Sequence, residues 1–173
     1  MLTAPFDRVS VFRAVLAAIL LSSGGCASTK YALPTPAEKL DFQSATDDNL
    51  AAAAALPLTE DAIYAFLEQF MTSHPEVYGS TYSLDPAFAG KQLAPYIYRA
   101  AGKLVRKDLA VGGYNYANLP WFTEPLRRKV PVWSDAYFDA GGGEIMMVTY
   151  SAPVIKNGRA IGVLTADFAL QDE

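Results

Sequence analysis

The sequence contains very little of the chemistry on which most metal sites and many enzymes depend. Its 173 residues include a single cysteine, Cys26, and a single histidine, His74. One cysteine excludes an intrachain disulfide, and one histidine excludes a multi-histidine metal centre and most histidine-based catalysis. The formal net charge of −4 offers no basic field to a nucleic-acid backbone. We therefore predict no nucleic-acid partner, no metal and no cofactor.

The chain is rich in apolar side chains instead. Hydrophobic residues make up 51% of it and charged residues 18%, so it can bury a packed core and is not extensively disordered. Its length corresponds to one domain with an N-terminal appendage.

The first 26 residues predict a secretory signal. Arg8 and Arg13 precede the apolar run "AVLAAILL" (14–21), and "SSGG" then leads to Cys26. A basic start, a short apolar stretch and a small-residue exit are typical of a signal peptide, and the run is too short to span a bilayer comfortably. A cysteine at this point resembles a bacterial lipoprotein signal. We predict a lipidated Cys26 and an extracytoplasmic, membrane-anchored protein in the periplasm or on the cell surface; the alternative is an ordinary signal followed by an incidental cysteine.

Two helical segments follow a short tether over residues 27–34. The sequence "TPAE", starting at Thr35, is a capping box and predicts an N-terminal helix within residues 35–58 that runs towards the alanine run 51–55. The next helix begins after Thr59, and its apolar side chains recur at helical spacing on one face. These are Ile63, Phe66, Leu67, Phe70 and Met71.

From Val77 onward the apolar period changes to two, which is typical of strands. An Asn-Gly pair between the last two alternating runs is a strong signal for a hairpin, and residues 112–122 are expected to form a loop. The predicted strands cover residues 77–84, 94–99, 103–109, 131–139, 144–155 and 159–170. We therefore predict an α+β domain over residues 59–170, with helices packed on an antiparallel sheet of five to six strands.

The stretch "PVWSDAYFD" (131–139) suggests a binding surface. In a strand its odd-numbered residues project to one side, so two aromatic rings and two carboxylates would share a face: Trp133, Asp135, Tyr137 and Asp139. Asp167 shares its own strand face with Val163 and Thr165. Buried carboxylates are costly unless they are paired, and an external ammonium group would supply charge-assisted hydrogen bonds and cation–π contacts. The alternative is that both aspartates lie at strand ends and face water.

Other catalytic patterns are weak. The glycines 141–143 lack the lysine and the helix start of a phosphate loop, and Ser134 lacks a nucleophile-elbow context. Four carboxylates could in principle form a glycosidase pair or an oxygen-ligand metal site, but their spacing is not diagnostic; these are Asp135, Asp139, Glu144 and Asp167. We predict that the protein is not an enzyme and has no catalytic residues. An extracytoplasmic hydrolase that uses Asp139 and Asp167 is the least favoured alternative.

Several motifs resemble a known family. In order, "YGSTYSLD", "LAPYIYR", "YNYANLPWF", "PVWSDAYFDAGGGEIMMVTYSAPV" and "GRAIGVLTADFAL" resemble the extracytoplasmic Cache (PDC, PAS-like) sensor domains of bacterial chemoreceptors and histidine kinases. The resemblance covers about residues 59–170 and is to the membrane-distal module of the two-module (dCache) type. It implies a long N-terminal helix and a curved antiparallel sheet that carries a small-ligand pocket.

The resemblance also implies roles for individual residues. In amino-acid-binding members, a Tyr-x-Asp motif and a later strand aspartate hold the ligand ammonium, and Tyr137, Asp139 and Asp167 match them. An arginine two positions before a Trp-Tyr pair holds the ligand carboxylate, but Leu119 stands at that position here. A small amine or other cationic metabolite is therefore the expected ligand. The predicted ligand-binding residues are Trp121, Phe122, Tyr137, Asp139, Asp167, Tyr116 and Trp133.

Sensors of this kind usually continue into a second module, a membrane span and a cytoplasmic output, whereas this sequence ends at Glu173. We therefore expect a binding module that works with a membrane signalling protein, or a truncated product. The alternative is a structural or interaction lipoprotein whose pocket is filled by its own side chains.

Overall fold

The first helix begins where its capping box predicts. The structure is a computed structural model that describes residues 31–171, so the predicted signal peptide and Cys26 lie outside the described residues. Helix α1 (Pro36–Asp47) follows Thr35, whose hydroxyl accepts from the N–H of Glu38 at 3.3 Å. The Glu38 carboxylate accepts in turn from the N–H of Thr35 at 2.8 Å. This reciprocal pair satisfies two of the free N–H groups at the helix start.

The predicted single N-terminal helix is in fact two helices. After α1, a second helix α2 (Leu50–Ala55) begins at Asn49. In a continuous helix the N–H of Asn49 would donate to the carbonyl of Ala45. The Asn49 side chain takes that acceptor at 2.8 Å, and the backbone N–H donates to Thr46 instead. This local competition ends α1.

Helix α3 (Glu60–Ser73) begins as predicted, after Thr59, whose hydroxyl accepts from the N–H of Ala62. Its apolar face is buried against the sheet, with Phe66 only partly buried at its edge. None of the helices within residues 31–171 combines the length and apolarity needed to span a membrane.

Within residues 31–171 the sheet contains seven antiparallel strands: β1 (Gly79–Leu84), β2 (Pro95–Ala100), β3 (Lys103–Asp108), β4 (Val132–Trp133), β5 (Tyr137–Phe138), β6 (Met146–Lys156) and β7 (Arg159–Ala169). Their order in the sheet is β3-β2-β1-β7-β6-β4, and β5 also pairs with β6. The predicted β6–β7 hairpin is present, with Asn157 at φ 52° and Gly158 at φ 75°, as a tight two-residue turn requires. The α+β prediction is confirmed.

The predicted strand over residues 131–139 is split into β4 and β5. Trp133 lies opposite Tyr150 of β6, and Tyr137 lies opposite Met147. Tyr137 is four residues after Trp133, whereas their partners Tyr150 and Met147 are only three residues apart on β6. This extra residue moves Tyr137 to the opposite face from Trp133. The prediction that both aromatics share a face is therefore wrong.

The two faces of the sheet are covered differently. Helices α1, α2 and α3 bury one face, and their core includes Phe42, Ile63, Leu67, Tyr82, Leu84, Ile97, Ile161 and Leu164. The other face carries a second cluster that contains Tyr96, Tyr116, Trp121, Phe122 and Val163. The short helix α4 (Pro86–Ala89) follows β1.

Residues 112–122 cover the second face of the sheet. The sequence predicts a loop there, but the later part of this segment is helical. A 3-10 turn (Tyr116–Asn118) leads into helix α5 (Pro120–Arg128). Proline is favoured at the first helical position because its missing N–H would have no partner there. Trp121 and Phe122 therefore stand in the first turn of a helix and not in a loop.

Candidate functional site

Two buried carboxylates lie on the sheet face beneath α5. Asp139 is 5% exposed and Asp167 is 4% exposed. Asp167 belongs to β7, on the same face as Val163. Asp139 directly follows β5 and is held by the turn after it, where the N–H of Gly143 donates to Asp139 Oδ2 at 2.6 Å. The two strands thus bring side chains distant in sequence to one place.

Hydroxyl groups surround Asp167. The Tyr96 hydroxyl donates to Asp167 Oδ2 at 3.0 Å, and the Thr149 hydroxyl donates to Asp167 Oδ1 at 2.9 Å. The Tyr137 hydroxyl lies 2.9 Å from Thr149 Oγ1. Either of these two hydroxyl groups can donate to the other. This chain of hydrogen bonds fixes the orientation of both the carboxyl and the Tyr137 ring.

Asp139 is bound by a residue that sequence reasoning missed. The Tyr114 hydroxyl donates to Asp139 Oδ1. Tyr114 belongs to the aromatic segment between β3 and α5, and nothing in its spacing distinguished it from its aromatic neighbours. The one local signal is the preceding Gly112-Gly113 pair. Both glycines have positive φ, 73° and 82°, a conformation that favours glycine and that directs the backbone into Tyr114.

No cationic side chain of the described residues neutralises these carboxylates. The ion pairs within residues 31–171 do not include Asp139 or Asp167. Lys107 reaches the turn after Asp139, but its ammonium donates to the carbonyl of Gly142 at 2.9 Å. The same residues form no group of three or more histidine, cysteine, aspartate or glutamate side chains that could hold a metal ion.

Burial has a large effect on protonation here. Desolvation, with a smaller contribution from the charge of Asp139, raises the pKa of Asp167 to about 8, although hydrogen bonds from Thr149 and Tyr96 act in the opposite direction. Desolvation followed by nearby carboxylate charge also raises the pKa of Tyr114 and of Tyr137. Both phenols therefore remain hydrogen-bond donors at neutral pH.

Two spaces that share several lining side chains adjoin the carboxylates. The inner cavity has a volume of about 10 Å³, close to what one water molecule requires. It is lined by Thr81, Tyr96, Leu109, Tyr114, Trp121, Tyr137, Asp139, Thr149, Thr165 and Asp167. The outer groove has a volume of about 510 Å³ and lies between α5 and the β4–β5 segment. The side chains common to both are Tyr114, Trp121, Tyr137 and Asp139.

The structure brings together some of the predicted ligand-binding residues and separates others. Trp121, Tyr137, Asp139 and Asp167 meet at the inner cavity. Trp133 borders the outer groove, but its ring packs on the helical side, with ring centroids 5.3 Å from Tyr150.

Tyr116 and Phe122 line neither the inner cavity nor the outer groove. Their rings pack edge to face at 5.1 Å. The Tyr116 hydroxyl donates to the carbonyl of Leu84 at 2.8 Å and accepts from the N–H of Leu93 at 3.2 Å. These hydrogen bonds attach the 3-10 turn to the sheet. Tyr116 and Phe122 therefore stabilise the segment that covers the site and do not line either space.

The Trp121 indole N–H is buried and makes no hydrogen bond within the described residues. It lies near the Tyr114 hydroxyl, but not in hydrogen-bonding geometry. A buried donor without an acceptor costs free energy. This donor borders both spaces, so an acceptor entering there would satisfy it.

The raised pKa of Asp167 predicts how stability depends on pH. Between about pH 4 and pH 8 the folded state keeps a proton that the unfolded state loses, so the free energy of unfolding falls as pH rises, by at most about 1.4 kcal/mol per pH unit. We expect Asp167→Asn to remove this fall, and the exposed-site control Asp41→Asn to retain it. Urea unfolding at several pH values measures the difference. Identical profiles for the native protein and Asp167→Asn would contradict the assignment.

Solved structures similar to this fold are sensor domains. The extracellular domain of the candidate histidine kinase soHK1S-Z6 is 25% identical, with a TM-score of 0.67, over 76% of this chain and 53% of that one. The ligand-binding domain of the Campylobacter jejuni chemoreceptor Tlp3, solved with L-valine, is 23% identical, with a TM-score of 0.59, over 76% of this chain and 52% of that one. The chain thus spans about half the length of these domains. No curated protein matches it in sequence.

A family model gives the most direct assignment. The model described as the methyl-accepting chemotaxis protein-like, first PDC sensor domain matches residues 63–172, which is more than half of the chain. The predicted resemblance to Cache (PDC) sensor domains is therefore confirmed. The protein belongs to the family of methyl-accepting chemotaxis protein-like first PDC sensor domains.

Proposed function

We propose that the protein is an extracytoplasmic sensor module whose inner cavity binds the cationic group of a small amine or other cationic metabolite. One observation carries this proposal: Asp139 and Asp167 are buried beside one cavity, and no cationic side chain of residues 31–171 pairs with them. Buried carboxylates are costly unless a cation or hydrogen bonds compensate them.

An ammonium group fits the chemistry of the cavity. It has three donors, and the carboxylate oxygens of Asp139 and Asp167 are acceptors in a water-poor environment, where charge-assisted hydrogen bonds are strong. The rings of Trp121 and Tyr137 also line the cavity and offer aromatic faces to a cation. An ammonium group is about as large as the single water molecule for which a cavity of about 10 Å³ has room.

The solved relatives support a ligand with an ammonium group. Tlp3 was solved with L-valine and with 4-methylisoleucine, which both carry one. The arginine that holds the ligand carboxylate in amino-acid-binding members of the family is replaced here by Leu119. The Trp121 N–H is a neutral donor and is a weaker substitute for a guanidinium. These considerations favour an amine over an α-amino acid.

A second candidate function is that of a structural or interaction lipoprotein. It is favoured by the small inner cavity of about 10 Å³ and by the hydrogen bonds that Tyr114 and Tyr96 already make to the two carboxylates. In that case the protein's own hydroxyls fill the pocket. A hydrolase is less favoured, because the family and the solved relatives are sensor domains of receptors.

We further propose the location and arrangement of the chain. The signal peptide covers residues 1–26, a tether follows over 27–34, the N-terminal helical segment covers 35–58, and the sensor domain covers 59–170. The N–H of Ala32 donates to the carbonyl of Gln171 at 3.3 Å, so the tether would leave beside the end of β7. A lipid on Cys26 would hold the module at a membrane, where it would meet a membrane signalling protein.

The amine proposal predicts ligand-dependent stability. We expect ethylamine to stabilise the protein, by about 2.7 kcal/mol at one hundred times the dissociation constant, whereas uncharged ethanol should not. Asp139→Asn and Asp167→Asn should each lower ethylamine affinity at least tenfold, and the exposed Asp41→Asn should leave it unchanged. Thermal unfolding and calorimetric titration measure both effects. A folded protein that responds to no amine would favour the interaction-lipoprotein alternative.

The anchor proposal predicts a change in fractionation. We expect the native chain to be recovered with bacterial membranes and Cys26→Ser to be recovered in the soluble extracytoplasmic fraction, because buried acyl methylenes contribute about 0.8 kcal/mol each to membrane binding. Incorporation of labelled fatty acid gives a second measurement. Equal fractionation of the two proteins, without label in either, would contradict lipidation.

A further inference from the structure

We propose that a separate groove, on the opposite side of α5 from the outer groove, binds a small organic anion that carries an apolar group. This hairpin groove lies between α5, the start of α4 and the start of β7. It shares no lining residue with the inner cavity or the outer groove. The inference therefore does not depend on the proposed amine site.

Cationic side chains from two separate elements line the hairpin groove. Arg127 and Lys129 come from the end of α5, and Arg159 comes from the start of β7. Asp85 is the one carboxylate among the described residues that line it, although the whole chain has a formal net charge of −4. The helix dipole favours cations at the end of α5. It does not account for Arg159, which belongs to a strand.

Lys129 has no carboxylate partner in the part of the chain that the structure describes. The ion pairs within residues 31–171 do not include it, and its ammonium donates to the carbonyl of Gly158 at 3.3 Å. It ends α5 with φ 56°, a left-handed conformation that is usual for glycine or asparagine at a helix end. Its charge is therefore available to an anion in the groove.

The two arginines have carboxylate partners but keep free donors. Arg159 lies 3.5 Å from Asp85 and is 54% exposed. Arg127 lies 2.9 Å from Glu124 and is 71% exposed. Exposed ion pairs of this kind are weak, and a guanidinium has five N–H donors. An anion can therefore bind to both arginines without displacing their present partners.

The remaining lining of the hairpin groove is mostly apolar. Its apolar members are Pro86, Ala87, Ala117, Phe122, Leu126 and Ala160. The volume of about 510 Å³ is in the size range of small-molecule sites. An apolar group that covers these side chains removes their surface from water. A ligand that joins a carboxylate or another anionic group to an apolar group would thus complement both parts of the lining.

Phenylacetate is the probe that tests this inference. Phenylacetamide has nearly the same shape without the charge, and acetate lacks the ring. We expect phenylacetate to bind the full chain about tenfold more tightly than either control, and to bind less tightly as the salt concentration rises. Calorimetric titration measures the affinities. Amide chemical shifts of Thr123, Leu126 and Ala160 in the isotope-labelled protein locate the site.

Arg127→Gln and Arg128→Gln are a matched pair of variants. Both remove one charge from the last turn of α5, but Arg127 lines the hairpin groove and Arg128 lines the outer groove. We expect Arg127→Gln to lower phenylacetate affinity about threefold and Arg128→Gln to leave it unchanged. Lys129→Asn should also lower it about threefold, because asparagine tolerates the left-handed conformation and preserves the helix end. Thermal unfolding without the probe shows that each variant is folded.

Several results would overturn the inference. These are equal affinities for phenylacetate and phenylacetamide, equal losses in Arg127→Gln and Arg128→Gln, or no shift of the amides that line the hairpin groove. Shifts confined to Thr149 and Asp167 would place the probe at the inner cavity instead. Shifts of the groove amides that depend on protein concentration in the absence of the probe would assign the groove to a second copy of this chain, which would also overturn it.

Discussion

The burial of two carboxylates on one face of the sheet is the constraint on which the site depends. Asp139 and Asp167 lie within 5% of complete burial, where an isolated charge is expensive. The surrounding groups respond to that cost: Tyr96 and Thr149 donate to Asp167, and Tyr114 and a backbone N–H donate to Asp139. Removal of one of these aspartates therefore alters the hydrogen bonds of several neighbours at once.

One extra residue in the edge segment decides which aromatic rings reach those carboxylates. Between Trp133 and Tyr137 the chain makes one more step than β6 does opposite it. Trp133 therefore packs among the helices, and Tyr137 turns towards Thr149 and the cavity. The interruption between β4 and β5 also forms part of the wall of the outer groove, which is lined by Ser134, Asp135 and Ala136.

Local signals in the sequence predicted much of this fold but less of the site. Three kinds of signal act over only a few residues and correctly predict the elements that they mark. These are the capping threonines of α1 and α3, the Asn157-Gly158 turn and the alternation of β7. The split of residues 131–139 depends on pairing with β6, which is a distant segment. The role of Tyr114 depends on Asp139, 25 positions later in the chain. Both relations arise from tertiary packing, so they cannot be predicted from residues that are adjacent in the sequence.

The raised pKa of Asp167 has a consequence for what a sensor of this design would measure. Burial raises the pKa of Asp167 and so favours the protonated carboxyl, whereas a cationic ligand of the proposed kind would need the anion. Proton and ligand therefore compete for the same oxygen atoms, and binding at neutral pH would release a proton into the medium. In the acidified surroundings of a cell the same concentration of amine would fill fewer sites. Under the proposed function, occupancy of the site would therefore depend on the pH of the surroundings as well as on the amine concentration.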